Sequence, residues 1–351
     1  MGTRIIRTGS LAIGLCLALS TVCAAAQPTM GLAVVDGHNG KGPVTVFYQS
    51  DAPGSPVTRG PFTLDVAWQG APRGGNRRLV VISHGSGGAP WPFADLARTL
   101  VHLGFVVAVP EHEGDNYHDQ RLVGPESWKR RPGEVIAAID ALKADARLGP
   151  LLDVDRVGVY GTSAGGLTAL TLAGARWSPA NFMRHCLAHM REDLPACVGL
   201  ITSLRGNILD PVKLTLARWV HRLRFNDATL YGLTDPRIKV VIASVPMAAP
   251  IDMATMARPR TAVGLIEAEQ DRWLAPRFHI DAVRAACASC EVLADMKTAG
   301  HGSLFSPWPA SLARSLTPLL VDPPGFDREE ELPPVYRAIA AFLARDLVPG
   351  R

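Results

Sequence analysis

Three residues in a fixed chain order, Ser163, Asp271 and His301, could carry out nucleophilic chemistry at an acyl carbon. A serine hydroxyl is a weak nucleophile at neutral pH. It needs a base to take its proton, and the base needs an acid to orient it. Ser163 lies in Gly161-Thr162-Ser163-Ala164-Gly165, which fits G-x-S-x-G. Val157, Val159 and Tyr160 before it read as the end of a buried strand, and residues 167–172 after it as a helix. On such a sharp, strained turn the hydroxyl is pushed into the open. The flanking glycines are required because side chains there would collide with the neighbouring strand and helix. The helix N-terminus turns its amides toward whatever the serine attacks. A nucleotide-binding turn would carry G-x-G-x-x-G, and none occurs here.

The partners of such a serine follow it as acid, then histidine. His301 sits in Ala299-Gly300-His301-Gly302-Ser303, just after the last expected strand, where a loop can hang an imidazole over Ser163. Asp271 ends the acidic turn Glu267-Ala268-Glu269-Gln270-Asp271 and is the first choice of acid; Glu267 and Glu269 read as solvated turn residues. Asp252, after the strand at 238–244, is the alternative acid. A developing oxyanion needs amides already in place. Ala164 would supply one, and Ser86, in His84-Gly85-Ser86-Gly87-Gly88, the other. His84 reads as a structural histidine of that loop. Glu111-His112-Glu113-Gly114-Asp115, with His118 and Asp119, has residue types that could bind a metal, but a polar pocket wall is the default reading. No metal and no organic cofactor is expected.

These residues need a scaffold that brings loops together. Residues 32–35, 44–48 and 62–68 read as short antiparallel strands, separated by Gly, Pro, Asn and Asp. From residue 78 onward strands (78–83, 105–109, the Ser163 strand) alternate with helices (92–103, 134–146), the rhythm of a parallel sheet with crossover helices. Residues 175–237 break it, with helical stretches at 182–190 and 212–223 and two cysteines. They are too long for a loop and are expected to form a helical cap over the catalytic end. Trp177, Phe182, Met183, Trp219, Leu223 and Phe225 would line the underside of that cap, or simply its own core. Strands at 238–244, 261–266 and 291–296, a helix at 276–286, a proline-rich excursion at 307–334 and a closing helix at 335–347 complete the chain.

The 351 residues are 47% hydrophobic and 19% charged, enough for a sizeable core and unlike a disordered chain. Residues 1–26 read as a signal peptide: Arg4 and Arg7, an apolar run at 11–22, then Ala24-Ala25-Ala26. That run is short for a membrane anchor, and no later segment is long enough to span. Removing Arg4 and Arg7 from the 36 basic residues leaves 34 against 32 acidic ones, a net charge of +2 that gives no argument for nucleic acid. Export, to a periplasm or beyond the cell, fits the four remaining cysteines, Cys186, Cys197, Cys287 and Cys290. Nearness in sequence favours Cys186 with Cys197 and Cys287 with Cys290, although four cysteines allow three pairings.

In this order and spacing, SHGSGG, PEHEG, GTSAGG, AEQD and AGHG resemble the secreted α/β-hydrolases of the dienelactone hydrolase and platelet-activating-factor acetylhydrolase-like group. The resemblance covers roughly residues 30–345 and is weakest in the 175–237 stretch. It implies an α/β-hydrolase fold, a mostly parallel sheet flanked by helices with a cap insertion. It places Ser163, Asp271 and His301 at the triad positions and Ser86 and Ala164 at the oxyanion positions. Dienelactone hydrolases use a cysteine nucleophile where this chain has Ser163, which moves the expectation toward ordinary esters. In the acetylhydrolase branch the acid follows an earlier strand, which keeps Asp252 open. The expectation is therefore an exported serine esterase acting on a small-molecule ester. A non-catalytic binding protein on the same scaffold, or an acyltransferase or peptidase, is the alternative.

Overall fold

In the computed structural model the described residues, apart from Gly2, are 28–313 and 320–348, so the expected leader falls outside them. The chain opens with β1 (Thr29–Val35) and β2 (Val44–Ser50), paired antiparallel, and the hairpin of β3 (Ser55–Arg59) and β4 (Phe62–Trp68). β5 (Leu79–Ser83), β6 (Val106–Pro110) and β7 (Val157–Thr162) follow, and β8 (Arg176–Trp177) is a short pairing outside the main sheet. Next come β9 (Ile238–Ser244), β10 (Ile251–Asp252), β11 (Ala262–Ala268) and β12 (Glu291–Met296). Ten strands form one sheet in the order β12-β11-β9-β7-β5-β6-β2-β1-β4-β3, and β10 pairs with β8. From β6 to β12 every pairing in that sheet is parallel, whereas β2 meets β6 antiparallel.

The parallel strands are apolar runs because both of their faces are covered. Every residue of β5, β6 and β7 is buried. Helices α1 (Ala94–His102) and α2 (Pro125–Ala144) follow β5 and β6, and α3 (Ala164–Leu172) follows β7. The closing helix, here called α9 (Arg328–Leu347), packs with α1 on one face, while α2 and α3 pack together on the other. Two apolar layers therefore sandwich the sheet, each buried Leu, Ile or Val contributing about 1.5–3 kcal/mol. This is the three-layer architecture that the alternation predicts.

Two helices begin earlier than their sequences predict. α2 starts at Pro125 and carries Pro132 inside it, not at Glu134. Pro132 removes one helical hydrogen bond, but Trp128, Val135, Ile139 and Leu142 are buried on one side and hold the turn before it. α9 starts at Arg328 and runs through Pro333 and Pro334. The Asp327 carboxylate accepts the amides of Glu329 and Glu330 at 2.9 and 3.3 Å, a cap that sets the start.

Between α3 and β9 the chain forms β8, α4 (Pro179–His189), α5 (Leu194–Val198) and α6 (Asp210–Arg224). Cys186 and Cys197 are bonded and tie α4 to α5; Cys287 and Cys290 are bonded after α7 (Ile280–Ala286). Trp177 and Phe182 are buried, and Trp128 packs edge-on against both. Trp219 and Leu223 are 57% and 56% exposed, so they do not belong to the insert's core. A four-residue helix, α8 (Ala310–Ala313), lies in the proline-rich excursion. No described helix is long and apolar enough to cross a membrane.

Candidate active site

Ser163 follows β7, between β5 and β9 in the middle of the parallel strands. Its backbone has φ 58° and ψ −120°, a conformation that L residues avoid and that costs on the order of 1–3 kcal/mol. From Val157 to Leu172 it is the one residue that is not buried. The turn closes only with glycine on both sides. A Cβ on Gly161 would lie 1.9 Å from the Gly165 carbonyl oxygen, and one on Gly165 would lie 1.9 Å from that of Ser83.

His301 and Asp271 come from adjacent parallel strands. β11 ends at Ala268 beside Met296 of β12, and the two loops that follow are pinned by Gln270 N–H donating to the Ala299 carbonyl at 2.9 Å. His301 Nδ1 lies 2.7 Å from Asp271 Oδ2, and both side chains are buried. An ionised carboxylate only accepts, so in the neutral imidazole Nδ1 carries the proton and Nε2 keeps its lone pair. The other carboxylate oxygen, Oδ1, accepts the amides of Trp273 and Leu274 at 2.8 and 2.9 Å. The Trp273 ring stacks on the imidazole, with centroids 5.7 Å apart. The His301 loop is clamped from behind. Arg328 donates to the carbonyls of Gly302 and Ser303 at 3.3 and 3.1 Å and to Asp322 at 2.5 and 2.8 Å. Asp252 is elsewhere: its carboxylate accepts the Ala254 amide at 3.2 Å at the start of a short turn.

The His84–Gly88 loop lies against Ser163, for a Cβ on Gly85 would be 3.2 Å from that of the serine. Among the described residues, neither the Ser86 amide nor the Ala164 amide donates a hydrogen bond. The loop is held by a buried network that the sequence does not announce. Arg131 donates to the carbonyls of His84 and Gly85, the latter at 3.3 Å, and pairs with Asp115 at 2.8 Å. Asp115 in turn accepts the Gly87 amide at 2.8 Å and the Ser127 hydroxyl at 2.5 Å. Burial pushes the Asp115 carboxyl up, but Arg131, Ser127 and the Gly87 amide outweigh it and hold it below its ordinary range.

Beside this network, the Ser83 hydroxyl meets His112 Nε2 at 2.8 Å, and His112 Nδ1 meets Glu134 Oε2 at 2.7 Å. The three groups copy a serine–histidine–acid relay, yet all are buried and no substrate reaches them. Burial, then the Arg131 charge, pushes His112 well below the ordinary histidine range, and burial raises Glu134. His84 is likewise buried and held low, its Nδ1 donating to the Gly85 carbonyl at 2.7 Å. The cluster at 111–119 therefore does not converge on a metal. His112 and Asp115 turn inward to separate partners, and His118 pairs with Glu111 on the surface at 2.7 Å.

Among the described residues, two other groups have metal-ligand geometry, His185-Asp193-His279 and Glu267-Glu269-Asp295. In the first, His279 Nδ1 accepts the Ala248 amide at 2.9 Å. Its proton is therefore on Nε2, which donates to Asp193 at 2.9 Å, and neither ring nitrogen has a lone pair to spare. In the second, Lys297 already bridges Glu269 and Asp295. Glu267 is not a solvated turn residue: it is the sixth residue of β11 and 5% exposed.

No family model matches the chain, and no curated protein sequence does either. Its fold is similar to that of a solved ferulic acid esterase from Streptomyces cinnamoneus, with a TM-score of 0.57 and 16% identity over 92% of this chain and 91% of that one. The chain has the α/β-hydrolase fold. That likeness carries the architecture and not the resemblance to the dienelactone hydrolase and acetylhydrolase-like group, which rests on the motifs alone.

Proposed function

We propose that the chain is a serine hydrolase that cleaves carboxylic esters through an acyl-enzyme. The observation that carries this reading is the strained, accessible Ser163 at the β7–α3 turn, in a sheet whose strands β11 and β12 are followed by loops carrying a buried His301–Asp271 pair 2.7 Å apart. Ser163 Oγ attacks the ester carbonyl while His301 Nε2 takes its proton. The tetrahedral oxyanion is received by the amides of Ala164 and Ser86, at the N-terminus of α3 and in the Arg131-held loop. His301 returns the proton to the leaving alcohol, the ester C–O bond breaks, and the acyl group stays on Ser163. Water, deprotonated by the same imidazole, then releases the acid. Asp271 fixes the tautomer throughout and keeps its negative charge. The mechanism needs no metal or organic cofactor.

The 175–237 insert is proposed to cap this site and to set the acyl group accepted. Two disulfides fit an oxidising compartment, and we assign the protein to the exported class, with residues 1–26 as a cleaved leader and residues 27–351 as one hydrolase domain. The test is hydrolysis of p-nitrophenyl esters from acetate to palmitate, together with ethyl ferulate, by wild type beside Ser163→Ala. A chain-length optimum that disappears in the variant supports the reading. A folded wild-type protein inert on every ester moves the assignment to a binding protein on a hydrolase scaffold. Transfer to added alcohol would make it an acyltransferase, and cleavage of peptides a peptidase.

A further inference from the structure

Helix α6 has two apolar faces. The inner one carries Leu214 and His221, both buried, with His221 Nε2 donating to the Cys197 carbonyl at 2.9 Å. The outer one carries Leu209, Val212, Leu216, Trp219 and Leu223, each 56–64% exposed, and Ile208 just before them is 90% exposed. At about 100° per residue, those five positions fall within an arc of about 80°. Lys213 and Arg224 flank the stripe on one side and Arg222 on the other, whereas Arg218 lies beside the buried Leu214 face with its Nε buried. The one acidic residue between 198 and 224, Asp210, is buried, and it accepts from Lys213 and from the amides of Arg205 and Gly206. Among the described residues, the exposed Arg222 and Arg224 have no carboxylate partner. A contiguous exposed apolar patch with cations on both flanks marks a binding surface.

We propose that α6 adsorbs to an anionic lipid surface, with the stripe at the headgroup–acyl boundary and the arginines among the phosphates. Charge selects this occupant. A stripe-to-stripe contact between two copies would set cations against cations on both flanks, with no carboxylate to meet them. Shape selects it too. The hollow beside the stripe is lined by Pro211, Val212, Thr215, Leu216 and Trp219, all from α6 itself, so no second element forms a wall to grip a partner helix. A fluid surface conforms to such a ridge, and Trp219 is a residue type that favours the membrane interface. The proposal is independent of the ester chemistry.

The experiment is co-sedimentation of the purified protein with vesicles of 7:3 phosphatidylcholine and phosphatidylglycerol, against vesicles of phosphatidylcholine alone. Binding to the anionic vesicles is expected to be at least tenfold tighter, and to fall in 0.5 M salt. Leu216→Ser with Trp219→Ser should abolish it, and so should replacing Arg222 and Arg224 together by glutamine. Circular dichroism should be unchanged in both variants. Equal recovery with both kinds of vesicle, or undiminished binding by the stripe variant, overturns the proposal. So does a dimer in sedimentation velocity that the stripe variant dissolves while the wild type ignores lipid, which would assign the face to a second copy.

Discussion

Arg131 and Asp115 form an ion pair 2.8 Å long in which neither side chain is exposed, and together they hold the carbonyls of His84 and Gly85 and the amide of Gly87. The loop that carries Ser86 is thereby fixed from behind by charges that never touch solvent. Removing one member leaves the other buried and unpaired, which costs about 3–5 kcal/mol. Asp115→Asn should lower the urea midpoint accordingly. In the fraction that folds, kcat on p-nitrophenyl butyrate should fall by about 100-fold, as expected for a displaced oxyanion donor. Unchanged kcat would separate the pair from the loop's function.

Asp271, not Asp252, faces His301. Asp271→Asn would favour the tautomer with the proton on Nε2, so kcat should fall by about 10⁴-fold at neutral pH. Asp252→Asn should leave kcat unchanged. The two variants side by side, in the same ester assay, decide between the acids.

Ser163 stores backbone strain that glycine would not feel. Relief of about 1–3 kcal/mol, less glycine's entropic cost of about 0.5–1 kcal/mol, favours the glycine variant. Ser163→Gly should therefore be more stable than Ser163→Ala by about 1 kcal/mol in urea unfolding, with both inactive. Equal stabilities would mean that the turn is unstrained.

Glu267 gives the pH dependence. Burial, then the charges of Asp281 and Asp295, raise its carboxyl to about 7 against the partial opposition of Arg284. The folded state thus holds a proton that the unfolded state loses near pH 4.3. This contribution to stability is present at low pH and lost as pH rises from about 4 to about 7. Glu267→Gln should raise the melting temperature at pH 8 and change it little at pH 4. A variant destabilised at pH 8 would show that the Arg284 ion pair outweighs desolvation.

Much of this architecture is legible in the residues themselves. The apolar runs of β5, β6 and β7 and the glycines around Ser163 leave few alternatives, because burial on both faces and the closeness of Gly161 and Gly165 to backbone oxygens dictate residue type locally. Asp271 and His301, 30 residues apart, meet because each follows its strand directly. The polar network is different. Arg131 reaches His84 across 47 residues, and His112 reaches Ser83 across 29, so nothing in the local pattern at 111–115 separates inward-facing partners from metal ligands. The early start of α2 is hidden by Pro132, where packing overrides a strong local breaker. The direction of Trp219 and Leu223 is hidden because one helix carries two apolar faces, and composition does not say which one is covered.

The central claim is that Ser163 Oγ is the nucleophile. The most direct measurement is labelling with an alkyl p-nitrophenyl phosphonate, followed by mass mapping of tryptic peptides. One equivalent of p-nitrophenol should be released, with a single adduct on the peptide spanning residues 157–176 and none in Ser163→Ala or after prior occupation of the site by an ester. Ester turnover persisting at the wild-type rate in Ser163→Ala, or an adduct on another peptide, would contradict the account.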